Sequence, residues 1–133
     1  NITKNIIDKD KEKCKVAIEM SFDAAAMKLI SFVSNTIVHN HIDINKDTII
    51  NNIHNVVNNE YYTVYSALSL YQIDNMKVSD YLDKEWIKDI EKDIVDVIYG
   101  SPLEKEDKIL LFSNKINLRF HSYSTYVINK SLK

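Results

Sequence analysis

One glycine (Gly100) and one proline (Pro102) in 133 residues leave this chain few ways to turn sharply. The two residue types normally make up about a tenth of a protein. Hairpin turns draw on them heavily, so an all-β fold is close to excluded and long helices with few polar connections are expected. The apolar periodicity agrees. Leu82, Trp86, Ile90, Ile94 and Val97 recur at spacings of four, four, four and three, with Ile87 and Ile98 widening the stripe. Ser79 is placed to cap this helix, and Asp80 and Asp83 to complement its dipole. Gly100 is expected in the left-handed position past its C-terminus. Ser101 and Pro102 then read as the N-cap and first position of the next helix.

Residues 1–9 read as a polar lead-in. Between Asp10 and Asn40 two patterns compete. Cys14, Val16, Ile18, Met20 and Phe22 alternate with more polar residues as a strand would, whereas Ile18, Phe22, Ala25, Leu29, Phe32 and Thr36 share one helical face. A lone strand lacks pairing partners in so glycine-poor a chain, so one long helix is favoured, with a strand near residues 14–22 as the alternative. His39 to Lys46 is a polar connection. Asp47 then caps a run carrying Ile50, Ile53, Val57, Tyr61, Val64, Leu68 and Tyr71 at heptad-like spacing, with Asn58-Asn59 as a candidate kink. Asp74 to Val78 is the next loop. Beyond Pro102, Ile109, Phe112, Ile116, Phe120, Tyr123 and Val127 recur at threes and fours. Four long helices with three short joints predict an all-α, antiparallel four-helix bundle forming a single helical domain over 1–133. A homodimer of two Asp80–Lys133 hairpins is a second way to complete such a bundle.

A net charge of −2 provides no strong field for nucleic acid or anionic membrane. No apolar run approaches the roughly 20 residues that span a bilayer. The single cysteine, Cys14, rules out an internal disulfide and points to a reducing, cytoplasmic setting. The chain begins at Asn1 without Met, which leaves a removed N-terminal targeting segment open. Charge is unevenly spread: ten of the nineteen acids fall between Asp80 and Asp107, and none follows. Lys108, Lys115, Arg119, Lys130 and Lys133 lie in one arc of the last helix, and Glu85, Asp89, Asp93 and Asp96 form a stripe on the helix before it. Facing stripes of this kind fix the pairing of neighbouring helices.

Chemistry has little to stand on. Asp93 and Asp96, with Glu104 and Asp107, flank the Gly100 joint as two carboxylate pairs at helical spacing. Brought together they would hold Mg²⁺ through oxygen ligands, and a Mg²⁺-dependent nucleotide hydrolase is the catalytic alternative. His39, His41 and Asp43 alternate in a loop without the further ligands a metal site needs. No base stands at motif spacing from Cys14, and a single glycine makes no phosphate-cradling loop. No cofactor is therefore expected. Tyrosines are more telling: Tyr61 and Tyr71 fall on the apolar stripe of the second helix, whereas Tyr62 and Tyr65 fall off it. Tyrosine is enriched at protein interfaces, where its ring buries area while its hydroxyl stays hydrated. The expectation is a non-catalytic protein that binds a partner protein, of the inhibitor, immunity or host-modulating type. Tyr62 and Tyr65 are its contact residues and Lys115 and Arg119 its charged flank. Nucleic acid through the basic stripe is a weaker alternative, since Arg119 is the only arginine.

Overall fold

The computed structural model describes residues 2–133, with side chains from Lys9 onward; Asn1 lies outside the described residues. The chain forms four helices: α1 (Ile2–His39), α2 (Lys46–Leu68), α3 (Glu85–Val95) and α4 (Lys105–Leu132). The all-α architecture is as the periodicity predicts. α1 lies between α4 and α2, and α3 packs against α2. The lead-in expected over residues 1–9 is helical from Ile2, so α1 spans 38 residues.

The alternation around residues 14–22 resolves as helix. Cys14, Ile18, Phe22, Ala25, Leu29 and Val33 are buried, whereas Val16 and Met20 are 45% and 65% exposed. A strand would put Val16 and Met20 on the same side as Cys14, Ile18 and Phe22, so burial decides for the helical period. α1 therefore carries apolar residues on two opposite faces, and only one faces the core. α2 also follows its stripe, burying Ile53, Val57, Tyr61, Val64 and Leu68. It runs unbroken through Asn58-Asn59. The Asn58 amide donates to the His54 carbonyl at 2.7 Å and to Glu91 at 3.3 Å, which ties α2 to α3.

One buried ring from each helix meets at the centre. Trp86 of α3 stands 5.1 Å from Tyr61 of α2 and 5.3 Å from Phe120 of α4, and Phe120 stands 6.0 Å from Phe22 of α1. Edge-to-face and tilted pairs of this kind add about 0.5–1.5 kcal/mol each beyond area burial.

The connections depart from expectation more than the helices do. The segment between α2 and α3 contains a miniature hairpin, β1 (Gln72–Ile73) and β2 (Met76–Lys77), in antiparallel register Gln72↔Lys77 and Ile73↔Met76. Its two-residue turn puts Asp74 and Asn75 at φ 52° and 67°, the left-handed region that hairpin turns require and that Asp and Asn tolerate. A 3₁₀ turn follows at Val78–Tyr81 and buries Val78 and Ser79. Ser79 therefore does not cap α3. That helix starts at Glu85, whose N–H donates to Asp83 Oδ1 at 2.9 Å. With the first turns lost to the connection, α3 has 11 residues and is not a long helix.

The joint between α3 and α4 also differs. The helix widens into a π turn at Asp96–Gly100. The widened turn is held at three points: the Tyr99 hydroxyl donates to the Ile42 carbonyl at 3.1 Å, the Lys46 ammonium lies 5.0 Å from the Tyr99 ring centre, and Lys108 Nζ donates to the Ile98 carbonyl at 3.0 Å. Gly100 takes no positive φ. Ser101 is extended, as the residue before a proline prefers, and Glu104 occupies the N-cap position of α4. Pro102 thus lies in the loop and not in the first helical turn.

Gly100 is therefore dispensable as glycine. Nothing lies within 4 Å of where its Cβ would stand, so Gly100→Ala is expected to leave stability unchanged or raise it by up to ~1 kcal/mol through the unfolded chain. Urea denaturation checks this; a loss of ~1 kcal/mol or more would return Gly100 to a left-handed cap.

Candidate functional site

Where α2 passes the Trp86 cluster, its outer side presents Tyr62 and Tyr65, 49% and 39% exposed. Both rest on buried Tyr61: the Tyr62 ring meets it edge-on at 5.2 Å and the Tyr65 ring stacks at 6.3 Å. The Lys84 ammonium, from the segment leading into α3, lies 5.5 Å from the Tyr62 ring centre. Tyr61 has its phenol pushed up by burial first, then by the neighbouring tyrosines and Asp83. The result is a small aromatic face with a cation at its edge, backed by a ring locked in the core.

Lys115 and Arg119 are elsewhere, and their charges turn inward. Asp93, only 3% exposed, receives Arg119 through Nε at Oδ2 and through Nη2 at Oδ1 (3.2 Å), and Lys115 Nζ stands 3.1 Å from Oδ1. Arg119 Nη1 also lies 3.8 Å from Asp89. The Tyr123 phenol, 3.4 Å from Asp89 and stacked on Trp86 at 5.7 Å, is pushed up to about 12, by burial first and Asp89 second. The facing charge stripes thus pair α3 with α4, as their layout predicts. Lys108 is committed to the Ile98 carbonyl and Lys130 Nζ lies 5.8 Å from the Tyr126 ring centre, so four of the five basic residues in the stripe are engaged within the chain.

The four carboxylates of the catalytic alternative do not come together. Asp93 and Asp96 line a cleft of about 330 Å³ beside Gly100 and Lys115, whereas Glu104 and Asp107 are exposed and do not line it. The physical reason is that Arg119 and Lys115 occupy the cation position at Asp93, while the π turn and the loop through Pro102 displace α4's first turn. Among the described residues, no group of three or more His, Cys, Asp and Glu is placed to hold a metal ion, the His39, His41 and Asp43 loop included. No helix among them is long and apolar enough to cross a membrane. Cys14 is buried, and burial, followed by Asp10, raises its thiol pKa, opposite to the shift that activates a nucleophile.

Two acids are buried where the sequence suggests none: Asp93, expected on the flanking stripe, and Glu60 both fall on the apolar stripes. Asp93 falls three residues after Ile90 and four before Val97. Glu60 falls three after Val57 and four before Val64, and is 9% exposed with Oε2 unpartnered. Burial raises the Glu60 carboxyl pKa, opposed only in part by Lys28.

Compared with known protein families, curated proteins and solved structures, the chain matches none.

Arg119→Met is expected to cost about 3 kcal/mol, because it removes the two-pronged partner of a buried carboxylate and leaves it Lys115 alone, and Lys115→Met only about 1, because half-exposed Lys115 is hydrated either way. Urea denaturation ranks the two, and the reverse order would shift the compensation of Asp93 to Lys115. For Glu60, a raised folded-state pKa means no penalty below the ordinary carboxylate range and a growing one as pH rises through the folded value. Wild type should therefore lose stability relative to Glu60→Gln between acid and neutral pH. A pH-independent difference between the two melting curves would contradict this.

Proposed function

We propose that this chain acts by binding a partner protein through the Tyr62–Tyr65 face, without catalysis of its own. The observation that carries the reading is the contrast within one helix: Tyr61 is fully committed to the core while Tyr62 and Tyr65 leave much of their rings in water. Exposed tyrosines cost little conformational entropy on binding, since only two side-chain torsions are fixed, and here Tyr61 already restrains both rings. Lys84 supplies a cation at the rim, suited to an acidic residue of the partner. Lys115 and Arg119, first expected to flank the contact, fit better as the clamp on Asp93. The inhibitor, immunity and host-modulating types all fit a small bundle that works through one face.

Tyr62→Ala combined with Tyr65→Ala tests the reading. Wild-type protein immobilised in an extract of its source is expected to retain one protein near equal stoichiometry, and the double variant to lose it. Circular dichroism and melting of the variant should stay within about 1 kcal/mol of wild type, because both side chains are partly exposed. A partner held equally well by the variant, or none held by wild type, would overturn it.

A further inference from the structure

A second site, on the side of α2 that faces α1 and away from Tyr62 and Tyr65, centres on Glu60. The seam between the two helices opens there into a cleft of about 250 Å³, walled by Met20, Ala24, Ala25, Val64 and Ala67. Small side chains make the room. Glu60 stands on this mainly apolar wall, which Ser21 and Thr63 also line, nine-tenths buried, and its Oε2 has no hydrogen-bond partner. The Thr63 hydroxyl, on the same wall, already donates to the Asn59 carbonyl at 2.8 Å. Lys28 lines the cleft from α1 but is itself exposed, and it forms no ion pair with Glu60 among the described residues.

An unpaired carboxyl at a core position is a standing cost to the bundle, because a buried acceptor left without a donor forfeits its hydration. A leucine or alanine would pack the same seam without it. Positions that break a local rule with no compensation inside the fold are the places where an external group supplies it.

We propose that this cleft binds a primary alkylammonium group: an unbranched aliphatic stem lying along Met20, Ala24 and Ala67, with its ammonium donating to the Glu60 carboxyl. The volume falls below the ~300–1,000 Å³ of sites for drug-sized ligands, which favours a stem of a few carbons over a ring system. The apolar walls exclude a fully hydrated cation and accept methylenes. A single carboxyl at a buried position selects one charge. That chemistry has two sources, a free diamine or monoamine and the lysine side chain of another protein.

The test uses the full chain and three probes, followed through the amide resonances of Ala24, Ala25, Thr63 and Ala67. Pentylamine and 1,5-diaminopentane represent free amines, and Nα-acetyl-lysine N-methylamide represents a protein lysine. Pentanol is the neutral control. Saturable shifts confined to the cleft are expected with an amine and not with pentanol. Glu60→Gln should weaken binding at least tenfold. Ala67→Met, which fills the cleft but keeps the carboxyl, should do the same while far-ultraviolet circular dichroism remains unchanged. Shifts with free amines alone assign the site to a small amine; shifts that include the capped lysine assign it to a protein lysine. No saturable shift with any amine, or binding undiminished in both variants, would overturn the proposal. Because the two surfaces lie on different sides of α2, loss of amine binding leaves the Tyr62–Tyr65 experiment unaffected, and the reverse also holds.

Discussion

The Trp86 indole is the contact that ties the short α3 to the rest of the bundle. It touches α2 through Tyr61 and α4 through Phe120, and Phe120 carries the contact on to Phe22 of α1. α3 needs this anchor most. At 11 residues it is shorter than an isolated helix can be and remain stable in water, so its order comes from tertiary packing. The indole also has a weak point, since its Nε1–H is buried without an acceptor. An unmet donor of that kind costs about 1–3 kcal/mol, which the ring's large buried area must exceed. The same cluster gives the outer tyrosines a fixed floor, so the candidate contact face inherits its rigidity from the centre of the core.

The bundle buries two carboxylates and treats them in opposite ways. Asp93 is met by a guanidinium and an ammonium, so its desolvation is offset by charge-assisted hydrogen bonds. Such an arrangement adds little net stability over an apolar pair but penalises any mispairing of α3 with α4, because a shifted register would leave a buried charge alone. Glu60 has only the distant influence of Lys28. Two acids with similar burial therefore play different parts: one fixes register, the other leaves an unmet acceptor at the α1–α2 seam.

Much of this was legible in the residue order. The stripes through Trp86, Ile90 and Ile94, through Ile53, Val57 and Val64, and through Phe112, Ile116 and Phe120 all bury as their periods require. Tyr62 and Tyr65 lie off the stripe and are exposed. Helix ends were less legible, because capping residues are common and the competition among them is decided by tertiary contacts. Ser79 has the chemistry of a cap, but the buried turn at Val78 claims it first. Gly100 has the look of a left-handed terminator, yet Tyr99 reaching Ile42 and Lys108 reaching Ile98 stabilise a wider turn in its place. The Asp74-Asn75 hairpin needed no glycine, since both residues tolerate positive φ. The partners of Lys115 and Arg119 were ambiguous for a different reason. A charge stripe beside an apolar face serves a neighbouring helix or an outside partner equally well, and only the buried position of Asp93 separates the two.

The burial of Cys14 gives the molecule an internal clock. Its thiol is buried and burial raises its pKa, so a thiol reagent reaches it only when the packing around that stretch of α1 opens. The sole tryptophan sits where α2, α3 and α4 meet and reports on the packing at the centre of the core. The natural sequence thus carries two reporters, one for the opening of α1 and one for the collapse of the bundle. Comparing their rates separates local fraying from cooperative unfolding without adding a label or changing a residue.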